Sequence, residues 1–133
     1  MDDVDLATLP HLAATDVRLL WVNDWYDGPL EAVVEHDGER CLMILHDADA
    51  RAVDIEKPMH WVLFRLSAGQ WTDEDRWHAL FEEHVGHHWC FHGEPPLDPI
   101  EPRDPKRFYD PHAARPPRLL GKALGWVDEM PTR

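Results

Sequence analysis

Cysteine and serine are almost absent from this sequence of 133 residues. Its two cysteines, Cys41 and Cys90, cannot form a disulfide framework, and a chain of this length can bury a core large enough to do without one. We therefore expect both thiols to be reduced. Ser67 is the single serine and no Gly-x-Ser-x-Gly elbow surrounds it, which argues against a serine nucleophile.

Long apolar runs and phosphate-binding glycine loops are also missing. No segment approaches the roughly 20 apolar residues of a membrane-spanning helix. The first residues are acidic, with Asp2, Asp3 and Asp5, where a secretory signal would be basic. The sequence thus predicts a cytoplasmic protein that does not bind membranes, and it lacks the fingerprints of nucleotide-dependent enzymes.

Positive charge is scarce in the first 92 residues. They contain 19 Asp and Glu against 6 Lys and Arg, whereas residues 93–133 contain 7 of each, so the body accounts for the whole net charge of −13. An acidic body repels nucleic acid and attracts basic peptides within a Debye length, roughly 8 Å at physiological salt. We expect a basic protein or peptide as partner and no nucleic acid, provided that C-terminal arginines do not cover the carboxylates of the body.

Alternating apolar residues predict strands in the first half of the chain. Val17–Trp25 is rich in β-formers on both faces, which predicts a central strand. Asp37–Gly38 favours a two-residue type I′ hairpin turn, and the register set by this turn pairs Glu31 with Ile44. The same register places Cys41 in an apolar layer, as a small buried hydrophobe. The run Met59–Leu66 predicts a further strand.

One amphipathic helix is predicted over residues 73–85. Thr72 and Asp75 resemble a capping box at its start, and Gly86 is a natural residue just after its end. The apolar residues at helical spacing are Trp77, Leu80, Phe81 and Val85. This is the best supported helix in the sequence.

Composition changes after His92, because eight of the twelve prolines lie between Pro95 and Pro117. This density predicts an extended arm without regular helix or sheet, pinned to the body by Ile100, Phe108 and Tyr109. Apolar residues within Leu119–Val127 then predict a short terminal helix. The predicted domain organisation is an acidic body, 1–92, and a Pro-rich arm, 93–133, that is not an independent domain.

These elements predict an α+β fold. It consists of an antiparallel meander sheet of four to five strands, with the main helix at about 73–85 packed on one face. The Pro-rich arm and the short C-terminal helix complete the fold.

A candidate partner-binding site combines two carboxylates and two aromatic rings, from Asp24, Trp25, Tyr26 and Asp27. Carboxylates hold a cationic group, and aromatic faces attract guanidinium and ammonium ions. The alternative is an ordinary hairpin loop, because Asp27, Gly28 and Pro29 are explained by turn chemistry alone.

A second cluster contains imidazole and thiol groups within nine residues, from His84, His87, His88, Cys90 and His92. This ligand set suits zinc. In an extended segment, however, three such side chains in a row do not easily converge on one ion. We assign no metal site, keep zinc as an alternative cofactor, and expect His78 and Glu82 to pair on the helix surface.

Two functions of different class follow from the sequence. The first is a small, non-enzymatic binding protein that docks a basic partner, either as an inhibitor or immunity-like protein or as a mimic of nucleic-acid charge. The second is a metal-binding protein or metal-dependent enzyme that uses the His84–His92 cluster. A homo-oligomer formed through the C-terminal arm is a further hypothesis.

Overall fold

The computed structural model describes residues 4–25, 29–46, 58–86 and 104–133. Contacts divide the chain into unit 1, Met1–Leu66 with Leu120–Arg133, and unit 2, Ser67–Leu119. The fold is α+β, as predicted, and the described residues form one antiparallel sheet of five strands and two α-helices. None of the helices in the described ranges has both the length and the apolar character needed to cross a membrane. The division at residue 92 stays a prediction.

The sheet of unit 1 has its strands in sequence order, and each strand is antiparallel to the next. The strands are β1 (Val17–Trp25), β2 (Pro29–His36), β3 (Glu39–Leu45), β4 (Trp61–Phe64) and β5 (Ala123–Val127). β1 has the predicted bounds but lies at an edge of the described sheet, so the prediction of a central strand is wrong. Its register with β2 shifts between Leu19 and Trp21 and again between Val22 and Asp24. Such irregularities are typical of edge strands.

The hairpin of β2 and β3 has the predicted turn and register. Asp37 and Gly38 adopt φ values of 53° and 77°, as a type I′ turn requires. Val34 pairs with Cys41 and Glu31 with Ile44. Cys41 is 1% exposed, which confirms its prediction as a buried hydrophobe.

β5 occupies the segment predicted to form a terminal helix, so that prediction is wrong. The strand pairs with β4 on one side, and on the other Trp126 exchanges backbone hydrogen bonds of 2.8 and 3.0 Å with Leu12 and Pro10. A Cβ on Gly125 would come within 2.8 Å of Leu12. Gly125 therefore permits the close approach of Leu12, and Gly121 permits that of the Arg65 carbonyl.

Helix α1 (Ala68–His84) belongs to unit 2 and begins five residues earlier than predicted. Its capping box uses Ser67 and Gln70, with bonds of 3.2 and 2.9 Å, rather than Thr72 and Asp75. The apolar face is as predicted, since Trp77 and Phe81 are buried. Gly86 follows the helix with φ of 101°, the left-handed conformation expected at this position.

Helix α2 (Lys106–Ala113) lies in the segment predicted to be irregular, so that part of the arm is helical. Asp104 supports its start by accepting a bond of 3.2 Å from the Lys106 N–H. Phe108 anchors it by packing edge-on against Phe81 at 5.3 Å, and this burial outweighs the cost of Pro111 inside a short helix. Of the residues predicted to pin the arm, Phe108 is buried and Tyr109 is 49% exposed. Ile100 lies outside the described residues.

Candidate functional site

The candidate site lies where β1 and β2 approach their connecting loop. We call it the acidic end of the β1–β2 ladder and define it by Trp21, Asn23, Asp24 and Glu31. Asp24 and Glu31 are opposite each other in the strand register, at a point where β1 is irregular. Asp24 is exposed and Glu31 is half-buried. Like charges directly opposite in a sheet reduce stability.

A short hydrogen-bond chain orients the Glu31 carboxylate. The indole N–H of Trp21 donates to the Asn23 side-chain carbonyl at 2.9 Å, and the Asn23 amide donates to Glu31 Oε2 at 2.8 Å. All three side chains are partly buried. These two hydrogen bonds orient the Asn23 amide and one oxygen of the Glu31 carboxylate.

The turn end of the ladder carries charges of both signs, since Glu35, Asp37 and Glu39 lie there with two arginines. Near the Asp37–Gly38 turn, Arg18 and Arg40 flank Glu35 in register, and Arg18 contacts Glu35 at 3.2 Å. Glu31 lies four residues further along β2, a distance of roughly 13 Å along an extended strand. This backbone spacing exceeds the Debye length at physiological salt, roughly 8 Å.

The structure places part of the site predicted from sequence. Asp24 and the backbone of Trp25 belong to β1 rather than to a turn. Tyr26 and Asp27 lie outside the described residues. Sequence reasoning missed Glu31 as a site residue, although the register signalled by Asp37 and Gly38 fixes its position along β2.

Cys41 is not a candidate nucleophile. Burial raises the pKa of its thiol above the ordinary value, and the carboxylate of Glu39 raises this pKa further. A raised pKa disfavours the thiolate, which is the reactive form. Cys90 lies outside the described residues.

Most of the predicted histidine cluster also lies outside the described residues, namely His87, His88, Cys90 and His92. His84 ends α1 and contacts the Glu83 carboxylate at 3.8 Å. His78 contacts Glu82 at 3.2 Å, which confirms the predicted surface pair. Within the described ranges, no group of three or more His, Cys, Asp and Glu side chains could hold a metal ion.

Two arginines of the C-terminal stretch do neutralise one carboxylate of the predicted body. Within unit 2, Arg118 forms an ion pair with Glu74, and Arg115 approaches the same carboxylate at 4.0 Å. Glu74 is the one buried charged side chain among the residues described. The condition that C-terminal arginines do not cover the carboxylates of the body is therefore not met at Glu74.

Comparison with known proteins yields no relative, because no family model, no curated protein and no solved structure matches the chain.

Proposed function

We propose that this protein is a small acidic binding protein that docks a basic protein partner through the acidic end of the β1–β2 ladder. The supporting observation is the pairing of two acidic residues in the strand register, Asp24 opposite Glu31, in a chain of net charge −13. The proposal covers an inhibitor, an immunity-like protein or a charge mimic that acts in the cytoplasm. No catalytic step is part of it.

A cationic side chain of the partner would form ion pairs with the carboxylates of Asp24 and Glu31. Guanidinium suits this position because its planar group donates several hydrogen bonds to carboxylates. The half-buried indole of Trp21, which is linked to the Glu31 carboxylate through Asn23, adds an aromatic ring to the proposed site. The partner therefore presents arginine or lysine side chains on its docking surface.

Titration of the ¹⁵N-labelled full chain with a peptide of alternating arginine and glycine tests this docking site. We expect the largest amide shifts at residues 21–24 and 31. We expect Asp24→Asn combined with Glu31→Gln to weaken binding by about tenfold, the effect of about 1.4 kcal/mol.

The matched control is Asp16→Asn combined with Glu129→Gln, which changes the net charge by the same amount. Both control residues belong to unit 1 and are exposed. The control should weaken binding by less than about threefold, since it changes only the long-range field. Equal losses in the two double variants, or shifts spread over all acidic residues, would refute a defined docking site.

A further inference from the structure

At one end of the sheet, the residue immediately beyond each of three neighbouring strands is titratable. His46 follows β3, His60 precedes β4, and Asp128 follows β5. The His46 N–H donates to the His60 carbonyl at 2.7 Å, so the pairing of β3 with β4 continues to these two residues. Continuation of the β4–β5 register, in which Trp61 pairs with Val127, places Asp128 opposite His60.

Contacts with Trp126 agree with this placement and bring a third histidine to it. The imidazole of His60 packs edge-on against the Trp126 indole, with ring centroids 5.3 Å apart. His11, from the segment before β1, stacks on the same indole at 4.2 Å. The Nε2 of His11 lies 3.2 Å from Asp128 Oδ1. We call these titratable residues the histidine row, namely His11, His46, His60 and Asp128.

The histidine row shares an end and a face of the sheet with Glu31. Glu31 pairs with Ile44 on β3, and Ile44 pairs with Val62 on β4. His46 lies two residues after Ile44, and His60 lies two residues before Val62. Side chains two apart in a strand point to the same face of a sheet. Glu31, His46 and His60 therefore lie on one face, at the acidic end of the β1–β2 ladder.

Strand geometry gives the spacing between these groups. With about 4.8 Å between strands and about 3.3 Å between residues, the backbone of His46 lies roughly 8 Å from that of Glu31. His60, one strand further, lies roughly 12 Å from Glu31. His36, at the other end of β2, lies roughly 17 Å from Glu31 along the strand. His46 is thus about one Debye length from the proposed docking site at physiological salt, and His36 is about two.

The charge of the histidine row depends on pH, because imidazole groups change charge between about pH 5 and 8. When the imidazoles are neutral, Asp128 makes the row negative. When all three imidazoles are protonated, the row is positive, since the cations outnumber the carboxylate. The carboxylates that face the row within the described residues are Asp128, which contacts His11, and Glu31 with Asp24 on the adjoining strands. Protonation therefore changes the sign of the charge beside Glu31.

We propose that protonation of the histidine row weakens the docking of a basic partner at the acidic end of the β1–β2 ladder. This inference rests on the proposed docking function and adds the regulation of that site. Positive charge on His46 and His60 repels the arginine side chains of the partner, and His46, which is closer, has the larger effect. Because linkage is reciprocal, docking of the partner expels protons from the row.

Titration of the full chain with the peptide of alternating arginine and glycine, at about pH 7.5 and at about pH 5.5, tests this regulation. The guanidinium groups of the peptide keep their charge at both pH values. We expect the dissociation constant to be about fivefold higher in the acidic solution. In the variant with His46→Gln and His60→Gln, this ratio should fall to about twofold, the remainder coming from the other histidines of the chain.

The matched control is His36→Gln, because His36 belongs to β2 and is half-buried, as His46 and His60 are. This variant should keep the ratio of about fivefold. A dissociation constant that does not change with pH, or equal ratios for the two variants, would overturn the regulation and leave docking in neutral solution intact. Absence of peptide binding in neutral solution would refute the proposed docking site, and the regulation with it.

Isothermal titration calorimetry of the unsubstituted protein gives a readout that needs no substitution. Peptide binding at about pH 6, measured in two buffers with different heats of ionisation, should release protons, because a bound cation disfavours protonated imidazole. The release should persist in His36→Gln and decrease in the His46→Gln, His60→Gln variant. Binding without proton release would overturn the regulation.

Discussion

Glu74 joins helix α1 to the C-terminal stretch within unit 2 through a buried carboxylate. Its buried carboxylate contacts Arg115 and Arg118, which lie 41 and 44 residues later in the chain. A buried ion pair of this kind adds little stability over an apolar core, but loss of one partner leaves the others buried without compensation. Glu74 is therefore sensitive to substitution although it takes no part in the proposed docking.

We predict that Glu74→Gln lowers the free energy of unfolding by about 3 kcal/mol, because two largely buried guanidinium groups lose their anionic partner. Urea denaturation of the full chain measures this loss. Asp73→Asn is the matched control, since Asp73 contacts Arg76 at 3.0 Å on the exposed surface of the same helix. Asp73→Asn should lower the free energy of unfolding by less than about 1 kcal/mol. Equal losses in the two variants would contradict a larger structural role for Glu74.

Cys41 provides a second prediction at the scale of a residue. Burial raises the pKa of its thiol, so the native fold disfavours the thiolate. We predict that iodoacetamide modifies Cys41 at least about a hundredfold more slowly in the native protein than in guanidinium chloride, because reaction requires opening of the sheet. Peptide mass mapping identifies the modified cysteine, and comparable rates in the two conditions would contradict the burial.

The sign of the pH dependence follows from the same raised pKa. The thiol is neutral below its unfolded-state pKa in both states, so the stability it supports is fully present there. This stability is lost as the pH rises through the higher folded-state pKa, where the native protein must bury a charge. The free energy of unfolding of the Cys41→Ala variant should accordingly fall less steeply with rising alkaline pH than that of the unsubstituted protein.

At the scale of elements, the sequence predicts those strands and turns whose signals are local. Asp37 and Gly38 define the turn, the register and the buried position of Cys41 without information from distant residues. β5 could not be predicted in this way, because a short apolar run fits a helix and a strand equally well. Pairing with β4 and the approach of Leu12 to Gly125 decide between them.

The start of α1 shows the same limit. Ser67 and Thr72 are both suitable N-caps, each followed three residues later by a side chain that completes a capping box. The structure uses Ser67 with Gln70, and Gln70 also binds the Leu119 carbonyl. A local sequence pattern cannot indicate this long-range contact. The predicted helix start is therefore five residues too late.

Replacement of Gly125 and Gly69 by alanine tests how each glycine affects the stability of its strand or helix. A Cβ on Gly125 would come within 2.8 Å of Leu12, so we predict that Gly125→Ala lowers the free energy of unfolding by about 1–3 kcal/mol. Gly69 lies in α1 with nothing within 4 Å of the added Cβ. Gly69→Ala should instead raise stability by about 0.5 kcal/mol through helix propensity. Thermal unfolding of both variants checks the opposite signs, and a neutral Gly125→Ala would contradict the close approach.

At the scale of the whole molecule, composition predicts an acidic protein, but it does not predict which carboxylates lie together or which are neutralised by arginines. The −13 net charge and the α+β class could be read from the sequence. The position of Glu31 opposite Asp24 depends on the irregular pairing of β1 with β2. Neutralisation of Glu74 by Arg115 and Arg118 depends on the return of the chain along α1. Both are long-range consequences of folding.

The rate of association with the arginine-rich peptide, measured by stopped-flow fluorescence over a range of ionic strength, tests the docking proposal most directly. We expect the association rate constant to fall steeply with added salt, because long-range attraction steers the encounter. The fall should be shallower for the Asp24→Asn, Glu31→Gln variant than for the charge-matched Asp16→Asn, Glu129→Gln control. A rate constant that does not change between low and high salt, or identical slopes for the two variants, would contradict docking at the acidic end of the β1–β2 ladder.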